Sequence, residues 1–213
     1  MALATIIQEM PVDVKKALQD GLPSFRSFNS VDAILRQTLL QETHGQTVFT
    51  LGVPDVLSGG KGLNGAKSSG WRVAVSNRGA AIAADIYTMQ RGGKYPLPDA
   101  APRLACLRQG PEVDNMLQTI TSITTPSLAG QLPAEPFNVQ LLIMPGLFTD
   151  ALLLQPQNSG SAAPFIVPFR TLVGNVRLNY AYTEQQLIAL LRPIAEKWIS
   201  CAPKLSRAAY SKP

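Results

Sequence analysis

The chain has 213 residues, of which 46% are hydrophobic and 15% charged, and its formal net charge is +5. Because globular proteins usually contain about 25% charged residues, this composition excludes a highly charged disordered chain and predicts an apolar core. No apolar run approaches the roughly 20 residues that a membrane-spanning helix needs, and the amino terminus lacks the basic and apolar regions of a signal peptide. We therefore expect a cytoplasmic protein without a membrane span.

The length fits one large domain, which we expect over residues 1–202, followed by a mobile basic tail over 203–213. The two cysteines, Cys106 and Cys201, have no redox or metal-ligand spacing around them, so a disulfide framework is not expected. His44 is the single histidine, which excludes multi-histidine metal sites. No cofactor signature is complete, and neither a cofactor nor a metal is expected.

Helical periodicity dominates the first forty residues. Apolar residues at spacings of three and four predict an amphipathic helix over 2–20, with Gly21 as its stop. Pro11 predicts a kink in that helix, or a second helix with Pro11 in its first turn. A further helix is predicted from Ser30, a suitable N-cap, to Gly45.

From residue 47 the apolar period changes to two, which is typical of strands. Further helices are expected over 111–123 and after Thr183, where Gln186 completes a capping-box spacing and Pro193 predicts a kink. The alanine-rich stretch 80–90 could also be helical, but the good turn before it favours a strand. Glycine in the turn at 77–79 favours a hairpin between two of the strands. The predicted strands cover 47–53, 71–75, 80–89, 103–108, 137–144, 147–154, 165–169 and 173–180.

This order of elements predicts an α+β fold. Successive strands with short connections favour a mainly antiparallel sheet, flanked by N-terminal helices and a long C-terminal helix. A parallel sheet would require a helix between successive strands, and most of these connections are too short to hold one.

Basic residues are concentrated in the middle of the chain, where residues 61–110 hold eight basic and two acidic side chains. Together with interleaved aromatic residues, this pattern is compatible with binding of nucleic acid or another polyanion through the segment 61–108. A solvated basic face is the simpler interpretation. The candidate anion-binding residues are Lys61, Lys67, Arg72, Arg78 and Arg91.

A glycine-rich stretch at residues 58–70 resembles a phosphate-binding loop only superficially. In such a loop the lysine follows the last glycine directly and begins a helix. Here Ala66 separates Gly65 from Lys67, and an alternating strand pattern follows. The stretch is therefore predicted to be a loop between strands, which could order over an anionic partner.

Two isolated carboxylates and the histidine are the candidates for catalysis. Asp85 and Asp150 each lie within an apolar strand, where burial could raise a carboxyl pKa into the range of a general acid. Alternation predicts that Asp85 faces solvent, whereas Asp150 shares its face with apolar residues. These residues, or His44, could serve a hydrolase of unrecognised class, although no nucleophile motif supports it.

The N-terminal apolar stripe could dock onto a protein partner or a second copy of the chain, or cover the protein's own sheet. Its candidate partner-binding residues are Leu3, Ile7, Met10 and Val14. Because no catalytic motif is complete, our leading hypothesis is a non-catalytic protein-interaction or self-assembly domain. The alternatives are polyanion binding and a hydrolase.

Overall fold

One sheet organises the protein. The computed structural model describes residues 5–6, 10–24, 45–77, 80–88, 101–123, 125, 128, 130–133, 135–157 and 163–201. The strands are β1 Thr5–Ile6, β2 Gln46–Thr50, β3 Lys67–Asn77, β4 Ala80–Tyr87, β5 Arg103–Gln109, β6 Phe137–Met144, β7 Thr149–Pro156, β8 Phe165–Thr171 and β9 Tyr182–Thr183. The helices are α1 Val12–Gly21, α2 Val53–Val56, α3 Pro111–Ser122 and α4 Glu184–Cys201.

The strands lie in the order β5-β4-β3-β2-β6-β7-β8-β9. All neighbours along this order are antiparallel except β2 and β6, which pair in parallel at the centre of the sheet. β7 occupies one edge of β6 along the whole length of β6. β1 and β2 therefore share the opposite edge of β6, where β1 pairs with Phe137 and Asn138 and β2 pairs with the residues from Leu141 to Ile143. The α+β class with a mainly antiparallel sheet is confirmed.

Helices cover both faces of this sheet. On one face, α3 packs against the central strands through Val113 and Met116. On the other face, α1 covers β3 and β4, while α4 covers β6 and β7 through Leu187 and Leu191. Among the described residues, these strands therefore bury apolar side chains on both faces, in one cluster under α3 and two on the opposite face. Among the described helices, none has the length and hydrophobicity needed to cross a membrane.

The helix predicted over 2–20 is wrong at Thr5–Ile6 and confirmed from Val12 to its stop at Gly21. Thr5–Ile6 forms β1, which pairs with Phe137 and Asn138. The helix begins only after Pro11, whose carbonyl accepts the first helical hydrogen bond from Lys15. Met10 precedes Pro11, and a residue before proline avoids helical geometry. Thr5 and Ile6 are β-branched and therefore suit a strand, which forms here because β6 offers a pairing partner.

Several predicted strands differ in extent from the observed ones, and β3 covers Lys67–Asn77 instead of 71–75. The strand over 173–180 is wrong, because that segment forms turns, one of them closed by a bond from the Val176 amide to the Val173 carbonyl. Asn179 adopts φ 53°, a conformation that asparagine tolerates and a strand forbids. The strand predicted from 47 ends at Thr50, and the one predicted from 147 begins at Thr149 after a 3₁₀ turn, Pro145–Leu147.

Other predictions agree with the structure. β3 and β4 form the expected hairpin, with Asn77 opposite Ala80. The capping box of α4 is present, since the Gln186 amide donates to Thr183 Oγ1 and the Thr183 amide donates to Gln186 Oε1. The predicted helix over 30–45 falls almost wholly outside the described residues. So do the 78–79 turn and the tail.

Candidate functional site

A cleft with a cavity of about 240 Å³ opens on the face of the sheet that α3 covers. Val48 and Thr50 of β2 lie between its two sides. One side is formed by β3, β4 and β5, and the other by β6, β7 and β8. Charged side chains lie on both sides and are joined in one network, whose members are Arg72, Asp85, Arg108, Glu112, Asp150 and Arg170.

Asp85 is the centre of the first side. The register of the β3–β4 hairpin places Arg72 directly opposite Asp85, and these side chains are only 1% and 5% exposed. Arg72 Nε donates to Asp85 Oδ1 at 2.6 Å, and Arg72 Nη2 donates to Asp85 Oδ2 at 3.0 Å. Arg108 on β5 donates from Nε to Asp85 Oδ2 at 2.6 Å. A buried carboxylate thus holds two guanidinium groups in defined orientations.

The second side repeats this arrangement with one arginine. Asp150 on β7 lies opposite Arg170 on β8, and Arg170 Nη1 donates to Asp150 Oδ2 at 2.9 Å. Glu112, in the first turn of α3, joins the two sides. It lies 3.5 Å from Arg72 Nη1 through Oε1 and 3.1 Å from Arg170 Nη1 through Oε2.

The fold shifts the pKa values of the two aspartates in opposite directions. Burial disfavours the charge on Asp85, but the hydrogen bonds and charges of Arg72 and Arg108 outweigh it and hold the pKa of Asp85 below its ordinary value. Burial has the larger effect on Asp150 and, together with the negative charge of Glu112, raises its pKa despite the opposing charge of Arg170. Asp85 therefore remains ionised, while Asp150 binds a proton more readily than an exposed aspartate.

Arg108 and Arg170 retain unused hydrogen-bond donors at the cleft. Their side chains are 39% and 47% exposed. Within the described part of the chain, the hydrogen bonds of Arg108 engage its Nε, and those of Arg170 engage its Nη1. A guanidinium group carries five N–H donors, so the remaining donors of both groups can serve a ligand.

The mouth of the cleft carries an exposed aromatic side chain in an unusual conformation. Phe148, which follows the 3₁₀ turn after β6, is 47% exposed and has φ 50° and ψ 38°. Hydrogen bonds hold this backbone, since its amide donates to the Pro145 carbonyl and its carbonyl accepts from Leu172. A left-handed conformation costs a bulky residue about 1–2 kcal/mol, and such positions cluster at functional sites.

The structure brings none of the described anion-binding candidates together in one site. Arg72 lines the cleft, but it is buried against Asp85 rather than displayed on a basic face. Lys67 is exposed outside the cleft, and Lys61 lines a more open hollow beside Glu184 and Arg192. The other two candidates, Arg78 and Arg91, fall outside the described residues.

Both predicted carboxylates reach the cleft, although Asp85 was expected to face solvent. That expectation is wrong, because both faces of β4 are covered and Asp85 lies on the α3 side. Sequence reasoning missed the roles of Arg108, Glu112 and Arg170. Each lies near the end of a predicted element, where no motif distinguishes it. The register of the sheet positions Arg108 and Arg170, and the packing of α3 on the sheet positions Glu112.

The residues proposed to bind a protein partner lie elsewhere. Met10 and Val14 are buried in the chain's own core with α1, so they offer no surface to a partner. Leu3, Ile7 and the histidine, His44, lie outside the described residues. Self-association through Leu3 and Ile7 stays a prediction.

Cys106 adjoins the cleft network, with its Sγ 3.6 Å from Asp85 Oδ2. Burial raises the pKa of this thiol, and the negative charge of Asp85 raises it further. Because the thiolate is the reactive form, these surroundings disfavour a nucleophilic role. Among the residues that the structure describes, no group of three histidine, cysteine, aspartate or glutamate side chains could hold a metal ion.

Comparison with known proteins gives no family assignment. The chain matches no protein-family model, no curated protein and no solved structure.

Proposed function

We propose that this protein binds a small anionic molecule in the cleft between Arg108 and Arg170. The observation that carries the proposal is that both guanidinium groups are held in place by buried carboxylates yet keep exposed N–H donors at the same cavity. Arginine matches carboxylate and phosphate oxygens through paired donors, which makes it a typical anchor for such groups.

The supporting carboxylates favour a binding site over a simple surface ion-pair network. Asp85 and Asp150 are both buried, and each accepts a hydrogen bond from one nitrogen of its arginine, Nε of Arg108 and Nη1 of Arg170. Exposed ion pairs between mobile side chains contribute little to stability. Donors held by a buried layer of partners lose less conformational entropy on binding, which is the property required of a ligand site.

The cleft suits a small anion better than a nucleic-acid strand. Its 240 Å³ volume is below the roughly 300–1,000 Å³ typical of sites for drug-sized ligands. Arg72, one of the residues proposed for a polyanion surface, is almost fully buried. The described positions of Lys61 and Lys67 add no donor to this cavity.

Acid–base catalysis by Asp150 is a second candidate function. The pKa of Asp150 is raised and that of Asp85 is lowered in the same cleft, which favours Asp150 as a proton donor and keeps Asp85 as an anion. In that role Asp150 would donate a proton to a bound substrate, while Arg170 would stabilise negative charge beside it. Turnover of p-nitrophenyl esters, phosphates or glycosides that disappears in Asp150→Asn, with folding retained, would support this role.

The binding proposal is tested by titrating acetate, benzoate and inorganic phosphate separately into the protein at low ionic strength, followed by calorimetry and NMR. At least one of them should bind saturably, and Arg170→Met should weaken that binding about tenfold, the equivalent of one charge-assisted hydrogen bond. Arg177→Met is the matched control, because Arg177 is exposed outside the cleft. Absence of saturable binding of all three anions, or equal losses in the two variants, would contradict the proposal.

A further inference from the structure

We infer that the ligand of the cleft is a planar monocarboxylate attached to a flat apolar group, of about the size of benzoate. This inference rests on the proposed anion-binding function and narrows it to one chemical class. Three features of the cleft support it: its charge balance, the apolar wall beside Phe148, and its volume.

Charge balance favours an anion with a single negative charge. With every group ionised, the three arginines of the network are matched by three carboxylates. Glu112 and Asp150 both lie beside Arg170, so a ligand bound there meets two like charges at short range. The repulsion is about twice as large for a dianionic phosphate as for a carboxylate, because it scales with the charge of the ligand. A carboxylate can still pair with the planar guanidinium group of Arg170.

Apolar side chains line the cleft on the same side as Asp150 and Arg170. Phe148, Pro145 and Ile143 line the same cavity, and none of the three is fully buried. Phe148 is 47% exposed although its backbone is fixed by two hydrogen bonds. An exposed aromatic side chain on a fixed backbone, in the same cavity as Arg170, fits a ligand with an aromatic or flat apolar body, because burying the ring against the ligand is favourable.

The volume limits the size of this ligand. A cavity of about 150 Å³ can hold benzene, so 240 Å³ accommodates one ring together with a carboxylate. A nucleotide exceeds this space. The enclosed part of the cleft therefore fits a single-ring or similarly compact acid.

The inference is tested with benzoate, acetate, inorganic phosphate and benzyl alcohol as probes of the wild-type protein. We expect benzoate to bind about tenfold more tightly than acetate or phosphate, a difference equivalent to partial burial of one ring. Benzyl alcohol, which has the ring without the charge, should bind more weakly than benzoate. Tighter binding of phosphate, or equal binding of acetate and benzoate, would overturn the inference.

A matched pair of variants locates the apolar contact. Phe148→Ala should weaken benzoate binding about fivefold or more and leave acetate binding unchanged. Leu172→Ala is the control, since Leu172 is 75% exposed, adjoins Phe148 and does not line the cavity. Equal effects of Phe148→Ala on benzoate and acetate would overturn the inference.

The same titrations separate this inference from the proposed function. If acetate or phosphate binds with the expected dependence on Arg170 but benzoate has no advantage, only the ligand class is wrong. If none of the three anions binds saturably, both proposals fail. Arg170→Lys separates charge from geometry: it keeps the positive charge but loses the planar donor pair, and should weaken benzoate binding by less than the roughly tenfold loss expected for Arg170→Met.

Discussion

Replacing Asp85 with alanine removes the carboxylate on which one side of the cleft depends. In the native protein that carboxylate accepts three hydrogen bonds from guanidinium nitrogens, two from Arg72 and one from Arg108. In the native fold Arg72 is 1% exposed, and Glu112 at 3.5 Å is the ion-pair partner that the substitution leaves to it. The variant therefore leaves a buried positive charge with little compensation.

The magnitude follows from the cost of breaking a buried ion pair, which is about 3–5 kcal/mol. For a chain of this length each kcal/mol lowers Tm by roughly 2–4 °C, so we expect Tm to fall by about 6–20 °C. The loss of about 3–5 kcal/mol is a large fraction of the roughly 5–15 kcal/mol by which a domain is usually stable against unfolding. Arg108 contributes less to the loss, because its side chain is partly exposed and can be solvated.

Thermal and urea unfolding of four proteins measure this effect: wild type, Asp85→Ala, Arg72→Met and the double variant. Because an apolar pair can replace a buried ion pair, the double variant should be more stable than the sum of the single losses predicts, by at least about 1 kcal/mol. Asp20→Ala, which removes an exposed carboxylate in α1, should change stability by less than about 0.5 kcal/mol. A loss below about 1 kcal/mol in Asp85→Ala, or strict additivity in the double variant, would refute the reasoning.

Three further predictions concern single positions. Because the pKa of Asp150 is raised in the fold, its ionisation destabilises the protein as pH rises above the ordinary pKa of 3.8. Asp150→Asn should therefore be more stable than wild type between about pH 4 and 7. Asp85 has a lowered pKa, so Asp85→Asn should be less stable than wild type over the same range. A common sign in the two Tm profiles would contradict this. Gly70 has φ 154°, and a Cβ there would collide with the Ile86 carbonyl, so Gly70→Ala should cost more than about 2 kcal/mol in urea unfolding. Gly110→Ala, with φ 105° but open space, should cost less, and equal losses would show that the collision is relieved. Thr183→Ala removes the cap of α4 and should cost about 1 kcal/mol; an unchanged urea midpoint would show that the cap is dispensable.

The sequence predicted the elements that depend on local chemistry. The hairpin of β3 and β4, the bounds of β6 and the capping box of α4 follow from alternation, turn residues and side-chain caps, all of which act over a few residues. The α+β class followed from the order of these elements. Local signals were insufficient at Thr5–Ile6 and at 173–180, where helical or alternating patterns competed with a distant pairing partner and with turns.

Tertiary structure alone determined the cleft. Arg72, Asp85 and Arg108 meet because β3, β4 and β5 are neighbours, and Asp150 meets Arg170 because of the register of β7 and β8. The parallel pairing of β2 with β6 then brings these two sets of strands together, and α3 adds Glu112 between them. Strand order and register depend on contacts between residues far apart in the chain. A single sequence therefore shows which residues can carry charge, but not which of them share a site.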